Sequence, residues 1–363
     1  MVLRFKREDC MPKSYGNLWP QIISFENLLR GFNEARKGKR YQFEVLNFSD
    51  HLEENIFKIQ DKLIAGTWKP LPFREFIKID ALKKRLIQAP PFCDRVVHHA
   101  LVHITQPFME QKWIYDSYAC RCGKGIHKCV FRTKDFLYRA WCMWEHVYVL
   151  QADISKYFQS INHKILLNIL QRTFREKEVL SLYQTIIETN NTTGQGIPIG
   201  ALTSQTLANH YLSEVDHFVK EKLRVKFYIR YMDDMIILGS SKEYLKDILV
   251  ELKLFIETKL ELHLNPKTHI YPACQGVDFT GYRIWKTHIL PRKRNVKAAK
   301  KRFKSISKRY AKGEVDLEYA KSRVVSFIGY MQHCNGYHST VSALKYLILR
   351  RNSYESNKVS CTK

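Results

Sequence analysis

The stretch Val225–Gly239 reads Val-Lys-Phe-Tyr-Ile-Arg-Tyr-Met-Asp-Asp-Met-Ile-Ile-Leu-Gly and sets an adjacent acidic pair between two apolar, β-prone runs. The pattern predicts a strand, a tight turn and a second strand, with Asp233 and Asp234 at the turn. Two like charges held that close repel unless something positive lies near them, and a divalent cation is the obvious candidate. The plainer alternative is a hairpin whose polar turn uses Asp as a good turn residue. A third acid alters the balance. Val147–Phe158 is an apolar strand that ends at Asp153, which has no evident capping or ion-pair role. One strand-end Asp with an Asp pair on a hairpin is a constellation for two Mg²⁺ ions about 3.5–4 Å apart, one for a 3′-hydroxyl and one for a triphosphate.

Charge fixes the class of partner. Sixty Lys and Arg against 35 Asp and Glu give the 363-residue chain a net charge of +25. A chain this basic expects a polyanion. The charge is also clustered: 11 of the 21 residues from Arg292 to Lys312 are Lys or Arg, and none is acidic. No run approaches the ~18 apolar residues of a membrane span, and the N-terminus has no apolar secretory core. Nine cysteines, an odd number, fit free thiols in a reducing compartment, so a cytoplasmic location is expected. Cys120, Cys122, His127 and Cys129 cluster, but in no standard zinc spacing.

Hydrophobic period predicts helices at 15–36, 49–65, out of the Pro90–Leu101 stretch to about Met109, and at 162–172, 176–189, 202–223, 242–259, 292–311, 316–331 and 338–350. Strands are predicted at 73–79, 85–87, 147–154, 268–271 and 277–284, with the hairpin at 226–238. This is an α+β chain whose sheet is backed by helices.

Asp153 and the Tyr231-Met-Asp-Asp234 turn resemble motifs A and C of the reverse transcriptases, and further blocks agree in the family's order over about residues 40–350. The resemblance implies a right-hand polymerase. Its domains would be an N-terminal segment with fingers at 1–145, a palm at 146–288 with inserted fingers helices at about 160–195, a helical thumb at 289–352 and a tail at 353–363. Asp153, Asp233 and Asp234 would be catalytic metal ligands, with Ile154 in the metal set and Mg²⁺ as the ion (Mn²⁺ able to substitute). Lys84-Arg-Leu-Ile-Gln-Ala-Pro90 resembles the fingers block in which Arg85, and more weakly Lys78, would meet nucleotide phosphates. Asp116–His127, including Arg121, resembles the fingers block near the template, which accounts for the Cys/His cluster without a metal. Phe158 falls where the family carries the aromatic that collides with a ribose 2′-OH, and so favours dNTPs.

Gly196-Ile-Pro-Ile-Gly-Ala-Leu-Thr-Ser-Gln205 resembles the block beside the nascent base pair, with Ile199, Gly200 and Gln205 at the nucleotide. Retroviral and group II intron enzymes usually carry Gln-Gly and Ser-Pro there. The Ile-Gly and Ser-Gln of this chain resemble the reverse transcriptases of diversity-generating retroelements, which implies adenine-directed errors, mutagenic retrohoming and a small helical accessory protein oligomer. Lys267, after Leu264-Asn-Pro, would approach the departing pyrophosphate. Phe279–Ile284, with Gly281 and Tyr282, resembles the primer grip, and Tyr231 and Met232 would meet nucleic acid. Arg292, Lys293, Arg294, Lys297, Lys300, Lys301, Lys304 and Lys308 would line duplex phosphates from the thumb. About 80 residues follow Ile284, room for a thumb, so neither RNase H nor endonuclease is expected. The reading is an RNA-directed DNA polymerase, bacterial or phage-encoded, acting on an RNA template, a DNA or RNA primer and dNTPs. Retron, phage-defence and intron-derived enzymes, an RNA-dependent RNA polymerase and a non-catalytic RNA-binding scaffold are the alternatives.

Overall fold

The computed structural model describes residues 14–80, 83–189 and 193–351. The expected tail and Ala81 and Leu82 of the fingertip turn lie outside the described residues. The chain is α+β, as expected, with three antiparallel sheets among the described residues. The strands are β1 (Arg74–Asp80), β2 (Lys83–Ala89), β3 (Tyr148–Ala152), β4 (Tyr228–Tyr231), β5 (Asp234–Gly239), β6 (His269–Pro272), β7 (Val277–Phe279), β8 (Tyr282–Ile284) and β9 (Ile289–Pro291). β1 and β2 form a hairpin, β4-β5-β3-β6 a four-stranded sheet, and β7-β8-β9 a meander.

The chain divides into two compact units. The first holds residues 1–120, 152–235 and 247–268. Its central element is the helix Leu202–His217, buried on nearly every side, which continues into a π-helical turn at Phe218–Lys222. Around it, helices start where the sequence supplies an acceptor for the first free N–H groups. Ser24 caps Phe25–Ala35, and Asn162 caps His163–Gln171 through Lys164 and Ile165. The Ser24 cap divides the predicted helix 15–36 in two, Trp19–Ile23 and Phe25–Ala35. In Leu52–Ile64 the stripe of Ile56, Ile59 and Leu63 is buried as the period requires, whereas Ile64 faces outward.

The second unit holds residues 121–151, 236–246 and 269–363. Its C-terminal helices, Lys293–Ala311, Leu317–Met331 and Tyr337–Leu344, close on a small core of Phe303, Ile306, Phe327, Met331 and three alanines. Apolar residues at a helical period turn inward, and the basic ones are left outside. The last helix stops at Leu344, short of the expected 350. Three helices were not anticipated: Phe43–Asp50, Ile126–Met143 and the single turn Tyr157–Ser160.

Candidate active site

The site is built from a two-residue turn. β4 ends at Tyr231 and β5 begins at Asp234, so only Met232 and Asp233 lie between them. Met232 has φ 57°, the left-handed region that such hairpin turns require. Arg230, fully buried, holds the turn from behind. Its Nε and Nη2 donate to the Asp216 carboxylate at 2.7 and 2.6 Å, and Nη1 donates to the Met232 carbonyl at 2.9 Å and to Asn209 Oδ1 at 3.2 Å. The Tyr228 hydroxyl donates to the same carboxylate at 2.7 Å. On the outer edge of β4, Arg230 exchanges main-chain bonds with Asp116 and Tyr118. The Asp116–Tyr118 stretch of the predicted template block is therefore a support for β4.

Asp153 follows directly on β3. Asn265 holds it twice: the Asn265 N–H donates to the Asp153 carbonyl at 2.7 Å, and Nδ2 donates to Oδ2 at 3.1 Å. Asp233 comes within hydrogen-bonding reach of Asp153. Burial, then the charges of Asp153 and Asp234, push the Asp233 carboxyl up to about 7. Among the described residues no three His, Cys, Asp or Glu side chains converge as a ready cage, so the carboxylates meet as a facing pair with Asp234 beside them. Hard oxygen donors with an excess of negative charge fit a divalent cation, which would replace the proton that burial favours on Asp233.

The pair opens into a cavity of about 540 Å³ lined by Lys84, Arg85, Phe158, Ile199 and Asn265. Lys78 sits opposite Arg85 on β1. The Phe158 main chain is pinned by an Ile197 N–H at 2.8 Å, and its ring meets Tyr157 edge-on at 5.6 Å. Tyr157 is itself buried, with its hydroxyl on the Ala208 carbonyl of the central helix.

The other predicted positions separate. Gly200 presses on β2, where a Cβ would stand 3.0 Å from Gln88 O and Ile87 Cγ2. Gly200 and Gln205 line a different cavity from the one that holds Ile199. The Lys267 main-chain N–H donates to Asn265 Oδ1 at 3.1 Å. In the second unit, Tyr282 is buried and its hydroxyl donates to the Tyr330 carbonyl at 2.8 Å, so its side chain supports the β7–β8 turn that carries Gly281. Arg292 pairs with Asp278. Lys293, Arg294, Lys297, Lys301, Lys304 and Lys308 are exposed on one helix, while Lys300 donates to Ser342 at 2.6 Å. Arg121 begins the second unit. His127 stacks on His333, and Cys129 is buried within its own helix.

Sequence reasoning passed over Asn265, Lys84 and the Arg230–Asp216 pair. Arg230 carried a signal, being a charge inside an otherwise apolar strand, and Asp216 was the acid it needed on an apolar helix.

A profile of the family described as "Reverse transcriptase (RNA-dependent DNA polymerase)" matches residues 78–284. Protein YkfC of Escherichia coli is 24% identical over 267 residues, 62% of this chain and 70% of that protein. The group II intron-encoded protein LtrA of Lactococcus lactis is 25% identical over 306 residues, 64% of this chain, which spans only 50% of that protein. Among solved structures, a telomerase from Candida albicans overlaps 78% of this chain and 56% of its own, with TM-score 0.48 and 10% identity. The match spans more than half the chain and includes Arg85, Asp153, Phe158 and the Asp233–Asp234 turn: the protein belongs to the reverse transcriptase family of RNA-directed DNA polymerases.

Proposed function

We propose that the chain copies an RNA template into DNA at the Asp153–Asp233–Asp234 site, as the polymerase of a diversity-generating retroelement. The observation that carries the catalytic part is the facing pair Asp153 and Asp233 in one cavity with Arg85 and Phe158. Asp153, Asp233, Asp234 and the Ile154 carbonyl would hold Mg²⁺. Bound there, Mg²⁺ would acidify a primer 3′-hydroxyl and stabilise charge on the leaving pyrophosphate. Arg85 offers a planar fork of donors to phosphate oxygens, with Lys84 and Lys78 adding charge. Asn265 fixes the Asp153 rotamer. Arg230 fixes the turn so that Asp233 keeps its distance when its charge changes. Phe158, held through its main chain by Ile197 and set edge-on to buried Tyr157, would collide with a ribose 2′-OH.

The retroelement part rests on Ile199. It lies in the catalytic cavity, where a β-branched apolar side chain offers no amide to a sugar or base. Relaxed base selection would follow, with errors opposite template adenine as the resemblance implies. The accessory protein belongs to the same proposal. A second reading, an intron-derived enzyme, draws on the likeness to LtrA.

The test is primer extension on an RNA template with an annealed DNA primer, Mg²⁺ and dNTPs, followed by sequencing of the products. The variant Asp233→Ala/Asp234→Ala runs alongside. Extension that is lost in the variant and error-rich opposite adenine supports the whole proposal. Accurate extension leaves the polymerase and removes the retroelement. Extension that survives in the variant removes the proposed site.

A further inference from the structure

The segment that carries Phe158 and the segment that carries Ile199 run antiparallel beside each other in the first unit. Ile197 N–H donates to Phe158 O at 2.8 Å, and Gly196 N–H donates to Ile161 O at 2.8 Å. Asn162 bridges to Gln195, and His163 N–H donates to Gly194 O at 3.0 Å. The far end of the second segment is tied as well. Gln88 N–H, on the strand β2 that carries Arg85, donates to Ile199 O at 2.8 Å. Gly194–Ile199 is therefore a strap between Phe158 and the strand of Arg85, and Phe158, Ile199 and Arg85 all line the catalytic cavity.

One side chain grips the strap from its opposite edge. His163 is 4% exposed, and its Nε2 lies 2.7 Å from Gly196 O. A carbonyl oxygen can only accept, so Nε2 carries the proton and donates. His163 stands at the first position of the helix His163–Gln171, which Asn162 caps and which buried Leu166, Ile169 and Leu170 hold in place. The imidazole is thus delivered from a rigid base. His163 itself is not in the wall of the catalytic cavity.

The two bonded groups belong to one peptide unit. Gly196 C=O and Ile197 N–H lie in the same plane and, the bond being trans, point in opposite directions. His163 holds the carbonyl end, and the amide end pins Phe158. Whatever fixes the orientation of that plane fixes the main chain at Phe158. On its C-terminal side Pro198 restricts Ile197 to extended backbone. On its N-terminal side stands Gly196 at φ 89°, and glycine moves between positive and negative φ at little cost. The His163 bond opposes that freedom.

We infer that His163 is a positioning residue for sugar selection: by holding the Gly196–Ile197 peptide it keeps Phe158 at the depth where it excludes a ribose 2′-OH. This rests on the reading of Phe158 as the group that collides with the ribose. His163 acts at one remove from the nucleotide, through a single main-chain bond.

The test compares His163→Leu, which keeps bulk and loses the donor, with His163→Gln, whose amide nitrogen replaces Nε2, and with Phe158→Ala. The first readout is competing addition of one dNTP and the matching NTP to a primer on an RNA template. Phe158→Ala shifts use toward the NTP. His163→Leu shifts it the same way by about three- to tenfold, the net worth of one hydrogen bond, through a lower KM for the NTP. His163→Gln returns the ratio to the wild-type value. A merely structural lesion slows both nucleotides alike and leaves the ratio unmoved. The second readout is amide hydrogen exchange on the free protein, which needs no catalysis. His163→Leu speeds exchange at Ile197 and leaves the helix Leu202–His217 as protected as in the wild type, and His163→Gln restores protection at Ile197. An unchanged ratio in His163→Leu where Phe158→Ala is shifted overturns the inference, as does unchanged exchange at Ile197. An unshifted ratio in Phe158→Ala sinks the reading of Phe158 instead, and a wild type that adds neither nucleotide sinks the polymerase reading. In both of those cases exchange at Ile197 alone decides whether His163 holds the strap.

Discussion

Replacing Asp216 with Asn tests whether the Met232–Asp233 turn is held from behind. Arg230 and Asp216 are both fully buried and joined by two bonds, and Arg230 spends its remaining donors on Asn209 and the Met232 carbonyl. Asn keeps the volume, removes the charge and turns an amide donor toward a guanidinium donor. A buried charge stripped of its partner costs about 3–5 kcal/mol. Asp216→Asn should therefore lower the melting temperature by on the order of 10 °C. It should also reduce primer extension, because the Met232 carbonyl loses a fixed donor. The apolar replacement Asp216→Leu/Arg230→Met/Tyr228→Phe separates the two effects. Well-packed apolar groups often match a buried ion pair in stability, so the melting temperature should recover while extension stays low. Thermal melting and single-turnover extension read the two quantities. Asp216→Asn melting within about 1 °C of wild type would refute the energetic argument, and wild-type extension by the apolar triple variant would refute the positional one.

Phe158→Ala should raise incorporation of NTPs relative to dNTPs roughly tenfold or more, read from competing single-nucleotide additions. Gly200→Ala, at φ 132° and with its Cβ 3.0 Å from Gln88 O, should cost about 1–3 kcal/mol in denaturant melts and lower extension. Asp94 gives the pH dependence. Burial pushes its carboxyl up to about 6, against the Leu71 N–H that favours the charge. The folded state then holds its proton more tightly than the unfolded state, so stability from this group is greatest below the ordinary carboxylate pKa and is lost as pH rises through about 6. Asp94→Asn, which can still accept from Leu71, should match or exceed the wild type at pH 7–8 and lose that advantage toward pH 4 in melts across the range.

The turn was legible because its signal is local. Two apolar runs and two acids within Val225–Gly239 admit few structures, and β4 and β5 both fall in that stretch, β5 ending one residue past the predicted hairpin. Helix 242–259 and the basic helix from Lys293 were legible for the same reason, since their period survives any tertiary context. What the chain brings together from afar was not legible. Asn265 reaches Asp153 across 112 positions, and its neighbour Lys267 drew attention instead because a charge advertises chemistry more loudly than an amide. Gln205 and Ile199 read as one motif, yet the start of the central helix sends them to different cavities. Helix Ile126–Met143 was overlooked although its buried Cys129, Val130, Thr133, Phe136, Leu137 and Ala140 keep a helical period.

Met232 joins the stability of the turn to its use. It occupies the first central position of a two-residue hairpin at φ 57°, where glycine is the preferred residue. An L side chain there costs about 1–2 kcal/mol. Glycine would relieve that strain but would lose about 0.5–1 kcal/mol through the greater freedom of the unfolded chain. The two nearly cancel, so Met232→Gly should melt within roughly 1 kcal/mol of the wild type. The carbonyl that Arg230 grips is main chain and stays in place. If the methionine is kept for fold alone, extension by Met232→Gly should also be unchanged. If its half-exposed side chain meets the primer end beside Asp233, the variant should bind primer–template more weakly and extend it more slowly at subsaturating primer, with the deficit closing as primer is raised. Unchanged extension at every primer concentration would rule out a primer contact and leave the left-handed methionine without an account.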